Sequence, residues 1–160
     1  MPHPPTADLD ALIRALDGID LIVVGGAAAV IHGAPITTQD LDVVPAQDAD
    51  NLARLLAALD GLESRFRPVV PGRDLAPTLE LLGGTGQLNL ATREGPLDIL
   101  CRLHDGRGYA ELAPRSRVVE ADDLRIRVID LDALIEIKAS TGRARDRLVV
   151  PILEAIRDGR

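Results

Sequence analysis

Aromatic residues are almost missing from this chain, which has one Phe, one Tyr and no Trp in 160 residues. Its core must therefore be aliphatic, and the shortage weakens any reading that needs aromatic platforms for stacking single-stranded bases. Cys101 is the only cysteine, which excludes an intrachain disulfide and a cysteine-based zinc cluster. A membrane-spanning helix needs roughly 20 apolar residues, and the longest nearly apolar stretch runs only from Leu21 to Ile31. Met1 to Ala7 is Pro-rich, without the basic and apolar regions of a secretory signal. The expectation is a cytoplasmic protein with no membrane partner. Lysine is nearly absent too, since Lys138 stands against seventeen arginines. Arg and Lys differ in shape and hydration. Either Lys138 has a role that Arg cannot fill, or it is a chance lysine on an exposed helix face.

What is present points to a globular domain. Hydrophobic residues make up 46% of the chain, too many for a disordered acidic polymer. The length favours one domain over 1–160, with a flexible stretch at 1–6. The net charge of -7 is unevenly spread. Residues 1–63 hold ten acids and two arginines, and residues 64–160 hold fifteen acids and sixteen bases. The acidic half would repel a nucleic acid, so an RNA partner would have to meet a basic face in the second half.

Periodicity and turn residues divide the chain into elements. Thr6 reads as the N-cap of a helix ending at Gly18. Residues 20–24 read as a buried strand, Gly25-Gly26 as a sharp turn, and 27–32 as a short helix. A second strand over 40–44 is stopped by Pro45, and an amphipathic helix covers 48–59. Residues 61–85, rich in Pro and Gly, read as irregular. Residues 87–92 and 96–101 read as a hairpin. A short helix at 109–112, strands at 117–120 and 124–129, and helices at 131–140 and 143–157 complete the order. This predicts an α/β (α+β) protein: a mixed β-sheet flanked by helices, with helices at the C-terminus.

The chemistry centres on Asp40-Leu41-Asp42. On a strand, residues i and i+2 share a face, which sets the two carboxylates side by side. Like charges that close are costly unless a cation lies between them, and hard oxygen ligands suit Mg²⁺. A lone Asp-x-Asp is more often a solvated strand edge. Here Val43-Val44 continues inward, and Leu21 to Val24 supplies an apolar neighbour. Gly25-Gly26, between a buried strand and a helix, would let a phosphate approach the backbone. The alternative is a tight turn with no ligand. Asp98, within the apolar Pro96-Leu97-Asp98-Ile99-Leu100, is the candidate third carboxylate or an edge-strand charge facing water.

Gly25-Gly26, thirteen residues and then Asp40-Leu41-Asp42 resemble the motif of the nucleotidyltransferase superfamily (DNA polymerase β-like fold). With His32-Gly33 and Thr38 before the acidic pair, the sequence resembles the AbiEii/MenT-type toxins and related uncharacterised bacterial nucleotidyltransferases. Residues 131–148, with Lys138, then Gly142-Arg143, then Asp146, are similar to a helical segment of that group. The resemblance covers roughly residues 20–155.

It implies transfer of an NMP from an NTP to an acceptor hydroxyl with Mg²⁺ (or Mn²⁺), releasing pyrophosphate. Asp40, Asp42 and Asp98 would be the metal ligands, and Asp98 would help activate the hydroxyl. Gly25, Gly26, Thr38, Lys138 and Arg143 would bind the nucleotide, with Lys138 also counted among the catalytic residues. Asp146 would pair with a nearby base. The acceptor would be a tRNA 3′ end, a protein hydroxyl or a small molecule. For a toxin of a toxin–antitoxin system, a cognate antitoxin would be a partner. Ile36 stands near a place where many members carry Arg, and the chain is shorter than many toxin relatives. The alternatives are a non-catalytic nucleotide-binding or protein-interaction module on the same fold and a phosphoryl hydrolase.

The remaining candidates have plainer readings. His32 caps or packs, His3 and His104 have no ligand partners at metal spacing, and Cys101 is a small core residue. Arg115, Arg117, Arg125 and Arg127 alternate on short strands, as a basic face for RNA or phosphate or as solvated strand edges.

Overall fold

The computed structural model describes residues 3–159; Met1 and Pro2, part of the N-terminal stretch expected to be flexible, lie outside the described residues. Seven strands form one mixed sheet in the order β3-β4-β5-β2-β1-β7-β6. They are β1 (Leu21–Val24), β2 (Leu41–Pro45), β3 (Arg65–Phe66), β4 (Gln87–Thr92), β5 (Gly95–Leu100), β6 (Ser116–Ala121) and β7 (Leu124–Ile129). Among the described residues, seven α-helices accompany them: α1 (Leu9–Ala15), α2 (Gly25–Ile31), α3 (Ala49–Gly61), α4 (Leu79–Leu82), α5 (Tyr109–Leu112), α6 (Leu131–Ser140) and α7 (Ala144–Arg157). The predicted α/β architecture is the one observed.

The centre of the sheet is its most apolar part. All four residues of β1 are buried, as are Leu41, Val43 and Val44 of β2 and Leu97 and Ile99 of β5. Strands covered on both faces read as continuous apolar runs, so the one polar residue in each of β2 and β5 stands out. β2 runs antiparallel to β1 and parallel to β5, and the register sets Asp42 beside both Val24 and Asp98. The same register pairs Leu41 with Leu97 and Val43 with Ile99, so any slip would move apolar side chains off their faces.

Several local expectations are corrected. The cap of α1 is Asp8, whose carboxylate accepts from Ala11 N, while Thr6 lies further back with its carbonyl against Gly95. Asp wins because its side chain reaches the free N–H groups of the first turn. Gly25-Gly26 is no separate turn: the chain passes from β1 straight into α2, with Gly25 at φ +67° as the pivot. Pro45 ends β2 as its last residue rather than stopping it from outside. The irregular stretch contains β3, paired with β4, and the short α4, capped by Thr78. Asp40 lies just before β2, not on it.

One buried polar side chain staples this frame. Asn51 on α3 is fully buried; its amide accepts from Asp20 N and donates to the carbonyls of Asp20 and Ala46. These groups flank the start of β1 and the end of β2. Asn51 thus satisfies backbone positions that the sheet leaves open.

A three-carboxylate site beside a cationic cavity

Asp40, Asp42 and Asp98 converge, with one carboxylate oxygen from each lying within 4.8 Å of the others. Two reach this place by sheet register, Asp42 on β2 and Asp98 on β5. Asp40 reaches it from the loop before β2, where Thr38 Oγ1 donates to the Asp40 carbonyl at 3.0 Å. The glycines of α2 form the facing wall. A Cβ on Gly25 would collide with the Asp42 carboxylate, and one on Gly26 would come within 2.8 Å of Thr38 Oγ1. Each glycine is thus required by close approach, and Gly25 also by its left-handed backbone.

The electrostatics of the cluster call for a cation. Asp42 Oδ1 is buried with no hydrogen-bond partner among the described residues, a costly state for a carboxylate oxygen. Burial, followed by the charges of Asp40 and Asp98, pushes the Asp42 carboxyl up to about 7. Burial also raises Asp98, with Arg67 working against the shift and Asp40 reinforcing it. An all-oxygen donor set with an orphaned buried oxygen suits a hard divalent cation, so these residues fit the Mg²⁺ or Mn²⁺ expected from the sequence.

Three cavities meet at the carboxylates. The first, about 470 Å³, is lined by Gly25, Gly26, Ile36, Thr38, Lys138, Arg143 and Arg145 beside Asp40 and Asp42. The second, about 490 Å³, shares Gly25, Asp42, Lys138 and Arg143 but has Leu100, Leu103, Leu134 and Ile137 in its wall. The third, about 780 Å³, is lined by Asp40, Arg67, Pro68, Asn89 and Pro96. The predicted residues Gly25, Gly26, Thr38, Asp40, Asp42, Lys138 and Arg143 all line the first cavity. Asp98 lines none of the three; it joins them through the carboxylate cluster.

Lys138 is buried on α6, not exposed on a helix face. Its Nζ donates to Asp146 Oδ1 at 3.1 Å. Asp146 Oδ2 accepts from Thr141 Oγ1 and Arg143 Nε, both at 2.7 Å. Burial alone would push the Asp146 carboxyl up, but Thr141, Lys138 and Arg143 together hold it below the ordinary range. Asp146 is thus a base's partner, as expected, and ties α6 to the start of α7. Arginines at a helix start oppose the helix dipole. Arg143 and Arg145 nonetheless sit there, facing the first cavity.

Sequence reasoning missed Arg67, which donates from Nη1 to Asp98 Oδ1 at 2.8 Å. It lies in a stretch with no periodicity, so nothing local marked it. Sequence reasoning missed Arg145 too, for which a second cation at a helix start was the available signal. The other predicted features settle plainly. His32 Nε2 lies 2.7 Å from the Ile129 carbonyl, His104 pairs with Ser140, His3 lines the third cavity, and Cys101 is buried in the core. The alternating arginines are met by nearby groups: Arg115, just before β6, by Glu136, Arg117 on β6 by Asp130, and Arg125 and Arg127 on β7 by Glu120 and Ser116.

This sheet, with paired carboxylates on adjacent parallel strands beside a glycine pivot, is the nucleotidyltransferase fold. Solved structures that share it include the following two. The lincosamide antibiotic adenylyltransferase LnuA, solved with lincomycin bound, has a TM-score of 0.62 at 13% identity, covering 96% of this chain and 99% of its own. TM1012 of Thermotoga maritima, a candidate nucleotidyltransferase, has a TM-score of 0.54 at 17% identity, covering 95% and 91%. No protein-family profile and no curated protein matches the sequence.

Proposed function

We propose that the chain is a nucleotidyltransferase that moves an NMP from an NTP to an acceptor hydroxyl with Mg²⁺ or Mn²⁺. The observation that carries this reading is the carboxylate cluster, with its orphaned Asp42 oxygen, opening into a cavity walled by Lys138, Arg143 and Arg145. That wall keeps a net positive charge even with Asp146 paired to Lys138 and Arg143, which suits a triphosphate that brings a divalent ion. A cation held by Asp40, Asp42 and Asp98 would polarise the α-phosphoryl group and offset its charge.

The chain's own residues then divide the work. Lys138, Arg143 and Arg145 hold the β- and γ-phosphates, and the glycines and Thr38 shape the wall beside them. The apolar second cavity takes the nucleoside, because of the three it alone adds a wall of five aliphatic side chains, Val24, Leu100, Leu103, Leu134 and Ile137. The acceptor enters through the third cavity, on the Asp40 side of the cluster. Its hydroxyl oxygen bonds to the α-phosphorus as the bond to the β-phosphate bridge breaks, and pyrophosphate leaves. The hydroxyl proton passes to the Asp98 carboxylate.

For the acceptor, likeness to an adenylyltransferase of nearly equal length supports a small molecule. The resemblance to AbiEii/MenT-type toxins supports a tRNA 3′ end and, with it, a bacterial toxin–antitoxin role and an antitoxin partner. The ion pairs of Arg115, Arg117 and Arg125 weigh against a large RNA on that face.

The test is a labelling assay. The protein is incubated with each α-labelled NTP and Mg²⁺, in turn with total tRNA, cell-extract protein and hydroxyl-bearing small molecules. Label on one acceptor, with pyrophosphate released and both lost in Asp40→Ala/Asp42→Ala, is the expected result. No transfer, with metal-dependent NTP binding that vanishes in Asp42→Ala, would leave a nucleotide-binding module. Release of inorganic phosphate would point to a hydrolase.

A further inference from the structure

Arg67 is the only basic side chain bonded to any of the three clustered carboxylates among the described residues. It is not a loose surface arginine that has drifted onto an acid. Its backbone N–H donates to the Asn89 carbonyl at 2.9 Å, beside the strand that pairs with β5. The same Nη1 that meets Asp98 also donates to the Leu90 carbonyl at 2.7 Å. One nitrogen is thus held between a sheet carbonyl and a carboxylate, while the side chain lines the third cavity with Asp40. Asp98 itself is almost wholly buried.

This geometry has two consequences. Arg67 takes Asp98 Oδ1 and restricts rotation of that carboxylate. It also places a fixed positive charge at the edge of a site holding three acids. We propose that Arg67 is a positioning residue that orients Asp98 for the acceptor hydroxyl and, as a built-in cation, holds the divalent-ion affinity of the cluster below what three free carboxylates would give. The proposal rests on the reading of the cluster as a metal site, and it sets two properties in opposition. Removing Arg67 strengthens ion binding, because a repelling charge is gone and Asp98 is freed. The same change slows transfer, because Asp98 is no longer held in one orientation.

The experiment titrates Mn²⁺ alone, followed by electron paramagnetic resonance, into the full chain without nucleotide. Wild type is compared with Arg67→Met, Arg67→Lys and Asp42→Asn, and the label-transfer rate of each is measured in parallel. A unit charge a few ångströms from a divalent ion near a protein surface is worth a factor of about ten or more. Arg67→Met is therefore expected to bind Mn²⁺ at least about tenfold more tightly while its kcat falls. Arg67→Lys, which keeps the charge but not the planar fork, is expected near wild-type Mn²⁺ affinity with a reduced kcat. A merely structural role would weaken binding and turnover together, in both variants, and would overturn the proposal. So would an unchanged Mn²⁺ affinity in Arg67→Met when wild-type binding depends on Asp42. Mn²⁺ binding to wild type that ignores Asp42→Asn would remove the metal-site reading and the proposal with it. Circular dichroism of each variant identifies loss of fold, and the lysine variant carries the test if the methionine variant does not fold.

Discussion

Replacing Asp146 by Ala tests whether the buried ion pair joins the two C-terminal helices as described. The substitution leaves the Lys138 ammonium buried without its carboxylate and removes the acceptor for Thr141 and Arg143. Breaking a buried pair on one side costs roughly 3–5 kcal/mol, a large part of the 5–15 kcal/mol or so that holds a typical domain. For a domain of this size, that loss lowers Tm by roughly 6–20 °C. Urea unfolding of wild type, Asp146→Ala, Lys138→Met and the double variant would apportion the effect. The double variant is expected to be more stable than Asp146→Ala, since no uncompensated ammonium remains. The pH dependence has a definite sign. The folded state holds the Asp146 carboxyl below its ordinary value, so its contribution is complete above about pH 4 and is lost as pH falls through the lower folded value. A loss under about 1 kcal/mol for Asp146→Ala would refute the reasoning. It would show that water reaches Lys138 from the cavities it lines.

The ion-free protein is expected to lose stability as pH rises from about 4 toward 7, because the folded state resists ionising Asp42, which is pushed up to about 7. Asp42→Asn should flatten that dependence in urea titrations with a chelator present, and Mn²⁺ should reverse it in wild type alone. Asn51→Ala should cost about 1–3 kcal/mol, read by thermal unfolding, since Asp20 N and the Ala46 carbonyl lose their part-buried partner while the Asp20 carbonyl keeps Ala46 N. A near-neutral result there would mean that α3 is held by its leucines alone.

The legible part of this protein follows from local rules. Alternation, caps and turn residues gave nearly every element, because a strand or helix buries its apolar side chains with a fixed period. They misled where a side chain competes for a nearby role, as when Asp8 rather than Thr6 caps α1. They also failed within 61–85, where β3 exists only because β4 pairs with it. Asp40 was expected on β2 and lies just outside it, yet its carboxylate still joins Asp42 and Asp98.

By itself, the sequence determined an aliphatic α/β domain and placed an acidic pair after a double glycine. Both depend on residue type and short spacing. Only the tertiary structure decided that β2 and β5 lie parallel with Asp42 beside Asp98, and that Gly25 has no room for a side chain against Asp42. It likewise buried Lys138 on Asp146 and brought Arg67 to Asp98 across thirty-one residues. Each of these depends on register and packing between distant segments. The distance and burial that decide their charge interactions arise only once the sheet has closed.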